Sequence, residues 1–326
     1  MAFLFAGAGP RPVQTQGQAR GVLTPYLRAS DDEFSRLDRG EPISRNLQGP
    51  DGKEVSVVGA IRVRCSSATF RERMLDIVRF KASSYVLEIG RFGTEPKESD
   101  VAALKVEQPD VEALKSCKPG SCKLRLPAAA MTEAGRAMRE SSADAAALMR
   151  QFLVSQARAY LKGGSRALED YGDRVPPVNR ASAFGMLIRP SAFASEHQPE
   201  LYDWLRQYPA APPSGVVDYL YWSRETFGLK PVISITHSAL MQRGNAEFFV
   251  SKQVYASRYF DASLGSSVLV TPPGESYAYL VYLNRSRVDV FHGLIGGIAR
   301  SIALRKMKDT MLDTMREARK RLETPS

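Results

Sequence analysis

The chain has 326 residues, of which 44% are hydrophobic and 25% are charged. These proportions are typical of a globular protein and exclude a disordered or collagen-like chain. The length corresponds to about two average domains or one enlarged domain. Lys and Arg outnumber Asp and Glu by 45 to 35, which gives a formal net charge of +10. No run of about 18 apolar residues occurs, so the sequence predicts no membrane-spanning helix.

The positive charge is concentrated at the two ends of the chain. The first thirty residues contribute +3 and residues 291–326 contribute +4. A nucleic-acid groove is expected to combine basic and aromatic residues along one face, so this distribution predicts no nucleic-acid partner. Basic ends favour either contact with an anionic membrane surface or solvated charge on a surface helix.

The first thirty residues are predicted to form a leader without regular structure, followed by a single enlarged domain over 31–326. The apolar start and the small residues that follow it match two parts of a secretory signal, whose basic start is missing. One hypothesis is that Met1 lies inside a truncated signal peptide. The alternative is a terminus without a targeting role.

The three cysteines indicate the redox character of the compartment in which the protein resides. Cys117 and Cys122 flank Lys-Pro-Gly-Ser, and a turn at Pro-Gly would bring them to disulfide distance. A redox site usually has two intervening residues rather than four, and a zinc site needs about four ligands. We therefore predict a structural disulfide, which implies an oxidising compartment, and a buried free thiol at Cys65.

The first third of the chain alternates between strand and helix patterns. Apolar residues alternate with polar ones over 55–64, which predicts a strand. Helical spacing follows over 67–79 and a second strand over 85–89. Residues 91–215 are then predicted to be a helical insertion, with Ala-rich and Leu-rich helical patterns over 127–161 and a short helix that begins at Pro199.

The last third changes to a run of β-branched and aromatic segments separated by turn residues, which predicts antiparallel strands. The predicted strands cover 216–222, 231–240, 248–260, 266–270 and 277–288. An apolar stripe over 293–323 then predicts one long helix, about 45 Å in length at 1.5 Å per residue. Met307, Met311 and Met315 lie on that stripe, where methionine supplies either adaptable ligand packing or ordinary core.

Familiar catalytic motifs are absent from the sequence. No G-x-S-x-G, P-loop, H-E-x-x-H or G-x-G-x-x-G motif occurs. Only His197, His237 and His292 are present, and a histidine metal site would use almost all of them. We predict no metal and no cofactor. His237 is either a hydrogen-bonded core residue or the acid–base group of an enzyme that uses Tyr, Arg or Glu225 as partners.

Two predicted strands carry more polar aromatic and basic side chains than an ordinary core. Period-two alternation places Tyr279, Arg285 and Arg287 on one face and Tyr282 on the other. Such groups suit either a pocket for an amphipathic ligand or a solvent-facing sheet surface. The candidate wall and head-group contacts are Trp222, Tyr255, Tyr282, Arg285 and Arg287. Asp289 is an alternative ion-pair partner for the two arginines.

The order of elements resembles the START-like, helix-grip (SRPBCC-type) arrangement over 53–90 and 216–323. This resemblance implies a curved antiparallel sheet packed on a long C-terminal helix, with a hydrophobic ligand held between them. The chain is also similar to uncharacterised secreted bacterial proteins that carry Cys-x-Pro-Gly-x-Cys and Leu-Asn-Arg-Ser-Arg-Val-Asp. Neither resemblance assigns a catalytic residue.

We therefore expect an α+β protein with a helical insertion in the middle of the chain. It is expected to be periplasmic or secreted and to bind or carry a hydrophobic or amphipathic small molecule, with peripheral membrane contact as a further expectation. The alternatives are an enzyme on the same fold that uses His237, or a non-catalytic interaction protein of the envelope.

Overall fold

The computed structural model describes residues 18–49, 51–140, 144–188, 198–226, 229–288 and 296–324, with side chains in the last range from residue 304 onward. The apolar start of the chain, on which the signal-peptide hypothesis rests, lies outside the described residues. So do His197, His292 and Asp289.

Eight strands form one antiparallel sheet that is not closed into a barrel. The strands are β1 (Ile43–Leu47), β2 (Glu54–Val63), β3 (Val86–Arg91), β4 (Val217–Glu225), β5 (Val232–Arg243), β6 (Ala246–Ala256), β7 (Phe260–Val270) and β8 (Ala278–Val288). Their order in the sheet is β1-β2-β8-β7-β6-β5-β4-β3. The five strands from β4 to β8 therefore form a meander, and the N-terminal strands are added at its two edges.

The described helices fall into three groups along the chain. Those before the meander are α1 (Gln18–Leu23), α2 (Asp31–Asp38), α3 (Ser67–Leu75) and α4 (Ile77–Lys81). The insertion holds α5 (Gln108–Ser116), α6 (Ala128–Glu140), α7 (Ala145–Gly163), α8 (Arg180–Ile188) and α9 (Pro199–Gln207). The chain then continues from β8 into α10 (Gly296–Glu323).

One face of the sheet, here called the helical face, is covered by the insertion together with α1 and α2. Side chains at alternate positions of each strand point to this face. Leu220, Ile235 and Val254 pack against the helices of the insertion, while Val58 and Val281 join a core that includes α1, α2, α8 and α9. This layer buries most of the aromatic side chains of the insertion.

The opposite face, here called the grip face, carries α3, α4 and α10. Helix α10 lies across β1 and β2, and its Met311 and Met315 are buried. A Cβ atom at Gly59 of β2 would lie 2.6 Å from Cγ of Met311 and 3.0 Å from Cγ of Met315. The missing side chain at position 59 therefore allows the helix to approach the sheet.

The structure confirms the predicted fold class. It is an α+β protein with an antiparallel sheet, a long C-terminal helix packed on that sheet, and helices in the middle of the chain. The sequence did not predict β1 or α8. It assigned residues up to 30 to an unstructured leader, but α1 is present within that range, and Ala19 and Leu23 are fully buried in the core.

Replacement of Gly59 by Ala tests the contact between α10 and the sheet. We expect a loss of about 1–3 kcal/mol in the free energy of unfolding, because the added methyl group overlaps Met311 and Met315. Gly52→Ala is the matched control, since no atom lies within 4 Å of a Cβ at that position. Urea denaturation compares the two variants, and equal stability would show that α10 does not depend on Gly59.

Candidate functional site

Trp222 and Tyr255 lie on the helical face, inside the core. The Trp222 ring is buried and its Nε1 donates a hydrogen bond to the carbonyl oxygen of Asp100 at 2.7 Å. Tyr255 is also buried, with its ring 5.1 Å from that of Phe152 and 6.2 Å from that of Tyr171. Both side chains connect the sheet to the insertion.

A β-bulge determines which face of the sheet Tyr255 occupies. The pairing of β5 with β6 shifts between Ile235 and Thr236, which pair with Tyr255 and Gln253, so Val254 is the extra residue. A bulge reverses the alternation beyond it. Tyr255 therefore joins the same core cluster as Val254, on the helical face, rather than the face of Gln253.

Arg285 and Arg287 also lie on the helical face, and each has a carboxylate partner. The Arg285 guanidinium group lies 2.6 Å from Oε1 of the buried Glu54 and also donates to the carbonyl oxygen of Leu187. Arg287 lies 2.9 Å from Oδ2 of Asp51. Of the five predicted contacts, only Tyr282 is on the grip face, so the structure does not bring the five together at one site.

The grip face changes character along the strands. Next to α3 it is apolar, with Leu240, Phe249, Leu269 and Leu280 in the core below the helix. Toward the other end of the strands, the same face carries hydroxyl and amide side chains that are half-buried. These are Ser251, Gln253, Ser263, Ser267, Tyr282 and Asn284, with the more deeply buried Ser234, Thr236, Ser238 and Ser286 beside them.

These polar residues form the floor of what we call the hydroxyl groove. Gly265 lies at its centre, where a Cβ would be 3.4 Å from the Tyr282 hydroxyl oxygen, so the Tyr282 side chain leans over the glycine. Several floor hydroxyls bond to each other, including Ser238 to Ser251 at 2.9 Å. In the described part of the chain, the side chains of Gln253 and Ser267 have no hydrogen-bond partner.

A half-buried ion pair on the grip face forms what we call the wall of the groove. Lys81 of α4 lies 2.6 Å from Oε1 of Glu225 on β4, and its Nζ is 5.4 Å from the centre of the Tyr221 ring. Desolvation opposes the charge of Lys81, but Glu225 outweighs it and raises the pKa of Lys81. Lys81 and Glu225 also act electrostatically on Tyr282, whose pKa is raised by burial.

Half-buried apolar side chains lie on the same face of the sheet. Phe80 of α4, Ile89 of β3 and Met307 of α10 belong to the apolar cluster of the grip face. Such side chains leave apolar surface accessible beside the polar floor. The sequence signal for the floor was present but unused, since small polar residues recur at every second position in Ser234-x-Thr-x-Ser238 and Ser263-x-Gly-x-Ser267.

His237 lies on the helical face, fully enclosed. Its Nε2 is 2.8 Å from Oδ2 of Asp218 and its Nδ1 is 2.8 Å from the Tyr160 hydroxyl group. Burial lowers the pKa of His237 despite Asp218, so the neutral ring donates to Asp218 and accepts from Tyr160. The rings of Tyr160, Trp204 and Tyr208 surround it. Both nitrogens are occupied, and no substrate atom can approach this histidine in this arrangement.

Lys252 is the neighbour of His237 on β6 and is also buried. Its Nζ donates to the carbonyl oxygen of Leu205 at 3.0 Å and lies 4.2 Å from the centre of the Phe184 ring. Desolvation, with a smaller contribution from Arg180, lowers the pKa of Lys252 to about 7. A lysine without a carboxylate partner in apolar surroundings favours its neutral form.

The predicted disulfide is confirmed between Cys117 and Cys122, and Cys65 is a buried free thiol. Gly120 has a φ of 80°, the left-handed conformation that a Pro-Gly turn requires. Among the described residues, no three His, Cys, Asp or Glu side chains are grouped so that they would hold a metal ion. Within the same ranges no helix has the length and apolar character needed to cross a bilayer.

Comparisons with known proteins place this chain in no family. No family model matches it, and no curated protein matches it. Among solved structures, the TTHA0849 protein of Thermus thermophilus is similar over 44% of this chain and 87% of its own, with 12% sequence identity and a TM-score of 0.26. A similarity at this level carries no argument about function, so the candidate site is argued from its own geometry.

Arg285→Met tests whether this arginine is structural. We expect a loss of about 3–5 kcal/mol in the free energy of unfolding, because Glu54 would remain buried without its partner. Adding Glu54→Gln should recover much of that loss. Arg316→Met is the control, since its pair with Asp313 is exposed and contributes at most about 1 kcal/mol. An Arg285→Met protein as stable as the parent would show that this arginine is free to bind a ligand.

Lys252→Met tests the burial of this lysine through pH. Between pH 7 and its ordinary pKa of 10.5, the unfolded chain binds a proton at Lys252 that the folded chain has released. The parent should therefore gain stability relative to Lys252→Met as the pH rises through this range, on the order of 3 kcal/mol. Lys230→Met, at an exposed lysine, is the control. Parallel pH profiles for the parent and Lys252→Met would contradict the lowered pKa.

Proposed function

We propose that this protein binds an amphipathic small molecule in the hydroxyl groove, between the sheet and α10, in the manner of a helix-grip protein. One observation carries the proposal. The half-buried polar floor lies on a face that is otherwise apolar, together with apolar side chains from α4 and α10. A ligand with an apolar part and a polar part matches both surfaces at once.

The unused hydrogen-bonding groups of the floor support this proposal. Gln253 and Ser267 lie in the groove without a partner in the described part of the chain. Their amide and hydroxyl groups keep their hydrogen-bonding capacity for water or for the polar part of a ligand.

The helical face offers no comparable surface among the described residues. Arg285 is paired with Glu54, Lys252 donates to the carbonyl oxygen of Leu205, and His237 is enclosed by aromatic rings. These observations favour a binding protein over an enzyme that uses His237. We propose a carrier of the bacterial envelope, periplasmic or secreted, since the Cys117–Cys122 disulfide fits an oxidising compartment.

Blocking the floor tests the function. Ser251→Phe would fill the centre of the groove, so we expect at least a tenfold loss of lipid or other amphipathic molecule recovered with protein purified without detergent. Mass spectrometry of an organic extract measures this amount per mole of folded protein.

Ser155→Phe is the matched control, because Ser155 is exposed on α7, in the layer that covers the helical face. It should retain the same amount as the parent, and Ser267→Leu provides a second floor variant if Ser251→Phe does not fold. Equal recovery from the parent and a folded floor variant would place the ligand elsewhere and contradict the proposal.

A further inference from the structure

The hydroxyl groove has a chemical character that narrows the class of ligand. Its floor offers hydroxyl and amide groups, and its one described ion pair, Lys81 with Glu225, joins opposite charges at 2.6 Å. We infer that the polar part of the ligand is uncharged and rich in hydroxyl groups, such as a sugar or glycerol head group on an apolar chain. This inference rests on the proposed function and goes beyond it by naming the head-group class.

Each polar group of the floor can both donate and accept hydrogen bonds. A serine hydroxyl supplies one donor and two acceptor positions, and a glutamine amide supplies two donors and an acceptor. Where two hydroxyls bond to each other, as Ser238 does to Ser251 and Ser263 does to Ser286, each pair retains unused positions. Neutral groups that both donate and accept match a polyhydroxyl head group, whose own hydroxyls also do both.

Among the described floor and wall residues, no unpaired charge is available to bind an acidic or an amine head group. A carboxylate or phosphate head group that leaves water needs a cation as partner. In the described part of the groove the only cation on the wall is Lys81, and Glu225 already neutralises it. Arg285 and Arg287, the predicted acid-binding groups, are on the opposite face of the sheet.

Tyr282 adds an aromatic ring to the groove. Its side chain leans over Gly265, and its hydroxyl group receives a hydrogen bond from Nδ2 of Asn284 at 3.3 Å. An aromatic side chain beside a hydroxyl-lined surface presents an apolar ring and a polar tip together. This combination suits the C–H and O–H surfaces of a sugar ring.

Three probes with the same ten-carbon chain separate these possibilities. Decyl maltoside, decanoate and decyltrimethylammonium are titrated into the full chain by isothermal calorimetry, each below its critical micelle concentration. We expect decyl maltoside to bind at least tenfold more tightly than either charged probe. Equal binding of the three, or tightest binding of a charged probe, would overturn the inference and leave the amphipathic-ligand proposal standing. Binding of none would overturn that proposal as well.

Free maltose distinguishes a glycolipid-like ligand from a free sugar. Its affinity should be at least tenfold below that of decyl maltoside, since it makes no contact with Phe80, Ile89 or Met307. Equal affinities would show that the ligand is a free saccharide. That result would support the head-group class but contradict a contribution of the apolar side chains to binding.

Two variants test whether the groove is responsible for the preference for decyl maltoside over the charged probes. Tyr282→Phe removes only the hydroxyl group and should weaken decyl maltoside binding about threefold to tenfold, as expected for one hydrogen bond, with decanoate unaffected. Tyr85→Phe, at an exposed tyrosine, is the control.

Glu225→Gln tests whether the Lys81–Glu225 pair sets the preference for an uncharged head group. It leaves Lys81 without its carboxylate, so decanoate should gain at least tenfold in affinity relative to decyl maltoside. No gain for decanoate in a folded Glu225→Gln protein would show that the Lys81–Glu225 pair does not set the preference, and would overturn the inference.

Discussion

Ion pairs and hydrogen bonds of buried arginines hold the helical layer against one face of the sheet. The rest of the architecture depends on these contacts. Arg125 lies 2.5 Å from Asp261 of β7, and Arg258, just beyond β6, pairs with Asp110 of α5. Arg180 of α8 donates to the carbonyl oxygen of Val254. Removal of one member of such a buried pair leaves the other charged and without solvent, which destabilises a protein by several kcal/mol. These contacts therefore hold the helical layer against the sheet.

The grip face, on the opposite side of the sheet, is the surface on which we propose that the ligand binds. There the strands pass from a packed apolar end below α3 to hydroxyl side chains that keep part of their surface accessible. The change occurs without any interruption of the strands, because alternate residues on β5, β7 and β8 switch from Leu to Ser, Gly, Tyr and Asn. A single sheet thus supports a tightly packed layer on one side and a mixed polar and apolar groove on the other.

Much of this fold was predictable from the sequence, because long β-branched segments and the apolar stripe of α10 have strong periodicity. The disulfide followed from the Pro-Gly turn. Position along a strand also assigned Arg285 and Tyr282 correctly to opposite faces. What the sequence did not indicate was which face would be covered. Arg285 was a plausible ligand contact until the structure placed Glu54 beside it, and their separation of 231 residues gives no local signal. The bulge at Val254 likewise has no sequence marker, so alternation alone does not predict the face that Tyr255 occupies.

Site-resolved NMR of the isotopically labelled full chain, titrated with decyl maltoside, tests the central claim most directly. The account predicts saturable shifts of the backbone amides of Ser251, Gly265 and Ser267, with the amides of Trp222 and His237 unchanged because they lie under the helical layer. Shifts that saturate on the helical face, or no shifts at any amide, would contradict the assignment of the grip face as the binding surface.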